Sequence, residues 1–326
     1  MKIVFLGATR FSDEMLHCLQ ANRFNIQAVF MIPSEFSLKK KGEESSKGYE
    51  NFNFADLAET AKKYNIPCYT VDAKKGRTLS SYSEVIRRIR PDIILVLGWY
   101  YIVPKSIREL AVQGACGIHA SLLPEYAGGS PLVWAMIRGE SKTGITVFRL
   151  EDGVDDGDIF AQEEIEISIS DTIGTLYDKV TEASKKMLVA ELRKIESNTH
   201  KLIPQDKTRI RPFPIRTPKD GLINWNLNDL ELYNFVRAQT KPYPCAYSFL
   251  ESTKVKFVSM PYPVRVEYPG INNHENGEII RIDFVIYVKL SNNLVRIGTV
   301  EVAGCEISFG DYCQLNNIIG RKFQDI

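Results

Sequence analysis

Two residues of this chain are of types that can move a proton near neutral pH, and both stand in suggestive settings. His119 opens a run of small residues and prolines, Ala120-Ser121-Leu122-Leu123-Pro124. Asp155 follows 36 residues later (155 − 119) in the acidic turn Gly153-Val154-Asp155-Asp156-Gly157-Asp158. An imidazole titrates near neutrality and can take a proton from an attacking nucleophile. A carboxylate beside it would fix its orientation and raise its basicity. A lone histidine is more often a structural polar residue, and Asp with Gly is ordinary turn chemistry, so the pair needs a scaffold that brings it together. The other three histidines, His17, His200 and His274, stand in no such setting. No histidine has a second His or Cys at metal-ligand spacing, so no metal site is expected.

The elements that would position the pair read as a βαβ rhythm. Apolar runs at Lys2–Leu6, Ile26–Met31, Pro67–Val71 and Ile93–Leu97 alternate with helical periodicity at Phe11–Leu19, Phe54–Tyr64 and Tyr82–Arg90. That pattern predicts a mostly parallel sheet with helices on its faces. His119 then falls at the end of a strand, where ligands bind in open α/β sheets. Pro33 to Asn53 is polar and predicts a loop, whose Lys39-Lys40-Lys41 run reads as a solvated face or a phosphate contact. Thr172–Ile195 predicts one long helix. Pro204–Pro218 holds four prolines among charges and reads as a linker. Beyond it, Leu227–Gln239 predicts a helix. Short runs at Lys254–Val258, Gly277–Ile282, Phe284–Lys289, Val295–Ile297 and Val300–Val302 predict a small barrel.

With 326 residues the chain has room for two domains. Its net charge of +1 encodes no global attraction to nucleic acid or anionic lipid. The longest apolar run, Ile93–Val103, is too short to span a bilayer. Six cysteines are scattered singly without a CxxC pair. Together with a start that runs straight into a strand, this suggests a reduced, cytoplasmic protein. The opening Gly7-Ala8-Thr9-Arg10-Phe11-Ser12 is not a GxGxxG, which argues against a nicotinamide dinucleotide.

The string Gly114–Asp158, with its His119-Ala-Ser-Leu-Leu-Pro and Gly153–Ile159 segments, resembles the signature of the folate-dependent formyltransferases. These include glycinamide ribonucleotide, methionyl-tRNA and nucleotide-amino-sugar formyltransferases. The resemblance implies a Rossmann-like formyltransferase domain over residues 1–205 and a small β-rich, OB-like domain over 206–326. It implies transfer of a formyl group from 10-formyltetrahydrofolate to an amine, without a metal. It makes His119 the base and Asp155 its orienter and proton partner, with Ser121, Ser130 and Thr146 as supporting groups.

At one position the chain departs from the pattern. The family carries an asparagine two residues before the histidine, where its amide holds the formyl oxygen. Here that position is Gly117. Loss of such a donor typically costs about 100–1000-fold in rate, so a backbone N–H, a water, protonated His119 or another polar residue must compensate, or the activity is weak. By position, the resemblance places the pterin against Trp99, Tyr100, Tyr101, Ile102 and Val103, and against Glu151, Asp152 and Val154.

The acceptor is chosen by finer features. Arg216-Thr217-Pro218-Lys219-Asp220-Gly221 resembles the form found in the sugar enzymes, and the early loop lacks a basic, glycine-rich insertion. These favour a UDP- or dTDP-linked deoxy amino sugar, for surface glycan synthesis. Arg10, Ser121, Arg211, Arg216 and Lys219 are then candidate substrate ligands, since arginine matches phosphate with paired donors. No membrane partner is expected, a nucleic acid only as initiator tRNA, and a homodimer is compatible with the reading. The alternatives are a methionyl-tRNA formyltransferase, a formyl hydrolase using the same pair, and a non-catalytic folate or nucleotide-sugar binding module.

Overall fold

The structure, a computed structural model, describes residues 1–38, 47–264 and 268–324. The Lys39-Lys40-Lys41 run lies outside the described residues. Two compact units are present. One comprises Met1–Gly128, Thr143–Ile165 and Asp178–Phe213; the other comprises Gly129–Lys142, Glu166–Tyr177 and Pro214–Ile326.

The first unit begins β1 (Lys2–Leu6), α1 (Arg10–Ala21), β2 (Asn25–Met31), β3 (Glu35–Leu38), β4 (Lys47–Glu50), α2 (Leu57–Lys63), β5 (Cys68–Thr70), α3 (Ser83–Ile89) and β6 (Ile93–Val96). It continues with α4 (Lys105–Arg108) and β7 (Ala115–His119). After α5 (Pro131–Ile137), which belongs to the other unit, come β8 (Lys142–Arg149), β9 (Ile159–Glu166) and α6 (Ile173–Glu196). Seven strands form one sheet in the order β5-β2-β1-β6-β7-β8-β9. The pairs β1–β2, β2–β5, β1–β6 and β6–β7 are parallel, and β7–β8 is antiparallel. Ile3 to Leu6 and Ile93 to Leu95 are fully buried, because helices cover both faces of a parallel sheet. Strand order reverses between β1 and β6, which opens a crevice at the carboxyl ends of the strands.

Local chemistry sets the element ends. Thr9 caps α1 with a capping box in which its side chain accepts from Ser12 N–H and the Ser12 hydroxyl accepts from Thr9 N–H. Pro131 starts α5, where its missing N–H costs nothing. The Pro33–Asn53 stretch, expected to be a loop, instead pairs its two ends as the antiparallel β3–β4 hairpin. Phe36 holds the hairpin down by packing into a cluster with Ala8 and Ile32.

The second unit carries α7 (Asp229–Arg237), β10 (Ala246–Leu250), β11 (Thr253–Phe257), β12 (Tyr262–Val264), β13 (Ile279–Ile282), β14 (Val285–Lys289), β15 (Leu294–Arg296), β16 (Thr299–Val302), β17 (Cys305–Ser308) and α8 (Phe309–Asn316). The strands form two antiparallel four-stranded sheets, β10-β11-β16-β17 and β12-β15-β14-β13. Their core gathers Trp225, Phe257, Phe309 and Phe323. Trp225 stacks on Phe323 at 4.9 Å between ring centres, and its N–H donates to the Ser248 hydroxyl at 3.0 Å. Such a partner is what a buried indole requires. Among the described residues, no helix is long and apolar enough to cross a membrane.

Candidate active site

β7 ends at His119, so the imidazole emerges at the carboxyl edge of the sheet. The ring is only 8% exposed. Its Nε2 lies 2.8 Å from the carbonyl oxygen of Tyr126. A carbonyl can only accept, so Nε2 carries the hydrogen and the neutral ring keeps its lone pair on Nδ1. That nitrogen lies 3.5 Å from Oδ2 of Asp155. The same Oδ2 accepts from Gly128 N–H at 2.7 Å. The pair suggested by sequence is therefore assembled, with a basic nitrogen facing a carboxylate.

Asp155 reaches this place because residues 150–157 loop out and return. Arg149 N–H donates to the Asp158 carbonyl at 2.8 Å and closes the neck. Gly157 is obligatory there, since a Cβ would lie 1.8 Å from the Arg149 carbonyl oxygen. Asp156 faces away from the histidine, accepting from Gly153 N–H and from Lys207. Asp155 itself holds a left-handed backbone, φ 51°, which a non-glycine residue keeps only when its surroundings impose it.

Gly117 shares the His119 face of β7, because alternate residues of a strand point the same way. A Cβ at Gly117 would meet Leu150 Cδ1 at 2.9 Å, the Val96 carbonyl at 3.2 Å and Phe148 Cε1 at 3.4 Å. The space a side chain at this position would enter is thus filled by two apolar side chains and a backbone carbonyl. Leu150 is fixed there by its N–H, which donates to the Ala115 carbonyl at 2.8 Å, and by its own carbonyl, which accepts from Arg108 at 2.8 Å. Arg108 also pairs with Asp152 and is nearly buried.

The remaining expected residues divide by location. Trp99 and Tyr101 meet edge to face at 6.0 Å, and Tyr100 tilts against Phe36 at 4.7 Å. Val103 is buried against Ile107 and Ala111. Trp99, Tyr100 and Tyr101 are half-buried, packed against the core from its edge. Ile102, by contrast, is 90% exposed and Val154 52% exposed, while Glu151 lies on the surface. Ser121 is buried and donates to the Glu125 carbonyl, and Thr146 accepts from Leu123 N–H and donates to the Ser121 carbonyl. Both hold the loop after β7. Arg10 is exposed at the start of α1, and Arg211 is exposed with its guanidinium on the Thr208 and Ile210 carbonyls.

In the second unit, Lys219 is exposed and Arg216 is half-buried. It lies over the Trp134 ring at 4.8 Å and the Phe235 ring at 5.7 Å, and donates to the Asp220 carbonyl and to Gln239. The Ser130 hydroxyl accepts from Arg216 N–H. Among the described residues, no group of three or more His, Cys, Asp or Glu could hold a metal ion.

The residues sequence reasoning missed act mainly through the backbone. The Tyr126 carbonyl and the Gly128 N–H leave no trace in residue type. Gln205 was read as part of a linker. It is instead 9% exposed, and its amide donates to the Asp155 carbonyl at 2.9 Å and the Gly157 carbonyl at 2.6 Å.

Comparison with known proteins adds the following. Residues 1–192 match the formyl transferase family model, and residues 216–312 match that for the formyl transferase C-terminal domain. The chain is 30% identical over 308 residues to the methionyl-tRNA formyltransferase of Caldicellulosiruptor saccharolyticus, covering 93% of each protein. It is 33% identical over 256 residues to that of Alkaliphilus oremlandii, covering 78% of each. Among solved structures it resembles WlaRD, a sugar 3N-formyltransferase crystallised with dTDP and 5-N-formyl-THF, with a TM-score of 0.59 at 19% identity over 94% of this chain and 98% of that one. It also resembles the methionyl-tRNA formyltransferase of Clostridium thermocellum, with a TM-score of 0.57 at 17% identity over 93% and 98%.

These findings overturn the expectation of a nucleotide-linked amino sugar as acceptor. The relatives near 30% identity over most of the chain are methionyl-tRNA formyltransferases, whereas the sugar enzyme is alike in fold alone. The features that favoured a sugar were weak discriminators. Net charge averages over all faces of a protein, and Arg216, a candidate for the diphosphate alongside Arg211 and Lys219, donates to the Asp220 carbonyl and Gln239 within its own unit.

Proposed function

The chain belongs to the formyl transferase family, enzymes of one-carbon group transfer, and we propose that its acceptor is the amino group of methionyl-tRNA. The observation that carries this reading is the 30% identity spread over 93% of both proteins, which spans both units rather than the shared catalytic fold alone. The formyl donor in this reading is 10-formyltetrahydrofolate. A pterin needs an apolar slot bordered by backbone donors and acceptors. The loop after β6 and the loop after β8 offer exposed apolar side chains, Ile102 and Val154. Trp99 adds a buried indole N–H without a partner, so the residues present fit such a group.

The donor supplies a formyl carbon that exchanges its bond to N10 for one to the acceptor nitrogen, with the acceptor's proton ending on N10. The chain's residues manage that proton. His119 Nδ1 takes it from the attacking amine, and Asp155, facing Nδ1, balances the resulting imidazolium. Tyr126 holds Nε2–H throughout, so the ring cannot flip its tautomer out of use. On the same face of β7, Leu150 and Phe148 fill the space beside Gly117. A hydrogen bond made by the imidazolium there gains strength from the low local dielectric.

The test is a formylation assay with 10-formyltetrahydrofolate, comparing charged initiator tRNA with nucleotide-linked 3- and 4-amino sugars. Formylmethionyl-tRNA is the expected product. Turnover with a sugar and none with the tRNA would overturn the reading.

A further inference from the structure

The proline-rich stretch after α6, expected to be a linker, lies against both halves of the catalytic pair. At its start, Ile203 and Ile159 exchange backbone hydrogen bonds of 2.8 and 2.9 Å. Gln205 then grips the Asp155 and Gly157 carbonyls, as described above. Lys207 pairs with Asp156 at 3.0 Å and Arg209 with Glu125 at 2.5 Å. Ile210 packs against the cluster of Leu123, Ala127, Phe148 and Ile159. At the far end, Phe213 N–H donates to the Ala127 carbonyl at 2.8 Å, and the Phe213 ring stacks on Tyr126 at 4.9 Å and 23°. Gly128 approaches so closely that a Cβ there would lie 2.6 Å from the Phe213 carbonyl oxygen.

The contacts of Gln205, Lys207 and Phe213 fall on the two short segments that matter most. Residues 126–128 supply the carbonyl that fixes His119 and the N–H that fixes Asp155. Residues 155–157 present the carboxylate itself. Both Tyr126 (φ 54°) and Asp155 (φ 51°) are left-handed, a conformation that drifts back unless neighbours hold it. Gln205 bonds the carbonyl of one of these residues, and Phe213 stacks on the ring of the other.

We propose that residues 203–213 form a strap that sets the His119–Asp155 distance, with Gln205 and Phe213 as its positioning residues. The proposal rests on the reading of His119 and Asp155 as the reacting pair. Gln205→Met keeps the length and burial of the side chain while removing both N–H donors, and Phe213→Ala removes the ring stack. Both are expected to lower kcat about 10–100-fold, since small misplacements of reacting groups have effects of that order, with KM for donor and acceptor nearly unchanged. Phe213→Tyr keeps the stack and restores kcat. Arg209→Ala, which breaks only an exposed ion pair of the strap, leaves kcat unchanged.

The second readout needs no substrate. In ¹⁵N spectra the wild-type His119 ring shows a single tautomer with hydrogen on Nε2, and both Gln205→Met and Phe213→Ala move its nitrogen signals. Unchanged His119 signals in both folded variants, or equal losses in kcat for Arg209→Ala and Gln205→Met, would overturn the strap. If the wild type formylates neither tRNA nor sugar, the proposed acceptor fails and the nitrogen spectra alone decide the strap. If Gln205→Met does not fold, Phe213→Ala against Phe213→Tyr decides it.

Discussion

Two positions on one face of β7 have opposite surroundings. Around His119 the polar contacts are directed, with a carbonyl on Nε2, a carboxylate opposite Nδ1 and a backbone N–H on that carboxylate, and the Phe148 ring meets the imidazole edge to face at 6.5 Å. Around Gly117, two residues earlier, the neighbours are a leucine methyl, a phenylalanine edge and a backbone oxygen. The family pattern places a polar group at both positions, and this chain keeps only the one at His119. The difference teaches that the proton-handling half of the site has directed polar contacts of its own, while Phe148 joins it to the half that would bind the formyl oxygen. The polar half is fastened by 126–128 and the strap, the apolar half by Leu150 through Ala115 and Arg108.

That contrast can be broken from either side. A large effect is expected from Asp155→Asn. An amide whose oxygen still accepts from Gly128 turns its NH₂ toward Nδ1 and ties up the lone pair. A fall in kcat of at least about 100-fold follows, measured in steady state with donor and acceptor saturating. A loss under fivefold would show that the carboxylate is dispensable.

Gly117→Asn probes the apolar half. The added side chain meets Leu150, and overpacking of this kind costs about 1–3 kcal/mol, visible as a lower Tm. Leu150→Ala in the same chain opens the space, so the double variant regains stability relative to the additive sum. It also gains kcat, because an amide then stands where the family has one. Strict additivity of the two changes in Tm would show that Leu150 does not occupy the space beside Gly117.

The smallest effect tests the second unit, at the carboxyl of Asp220. Burial would raise the Asp220 carboxyl, but hydrogen bonds from Thr217 N–H and hydroxyl, with Arg216 nearby, outweigh it and hold it below the ordinary carboxylate range. A depressed folded value means that its stabilisation is fully present above the unfolded value, about 3.9, and is lost as pH falls through the folded value. Asp220→Asn should therefore flatten the acid limb of the stability curve slightly, leaving stability at neutral pH modestly reduced. An unaltered acid limb would contradict this.

Much of the first unit was legible because its strands are short, β-branched and buried on both faces, and because His119 stands at a strand end that a motif marks. The β3–β4 hairpin was not, since its strands are only four residues each and lie in a polar stretch, with Phe36 packing against Ala8 and Ile32. Helix α8 hid among β-rich neighbours, although Ser308 accepting from Asp311 N–H is an N-cap readable as Ser-x-x-Asp. The strap escaped because prolines and charges are also what linkers contain, and its role depends on Gln205 and Phe213 meeting residues about 50 and 85 positions away (205 − 155 and 213 − 128). The acceptor escaped for a different reason, because composition reports average charge and not the shape or charge of one face.

The measurement that tests the account most directly is single-turnover formylation of charged initiator tRNA by the wild type and by His119→Ala, with 10-formyltetrahydrofolate saturating. The account predicts rapid formylation by the wild type. It also predicts a fall of about 10²–10⁴-fold in the variant, with tRNA binding retained. A variant that keeps most of the rate would show that the proton leaves by another route and that the assembled pair is not the centre of the chemistry.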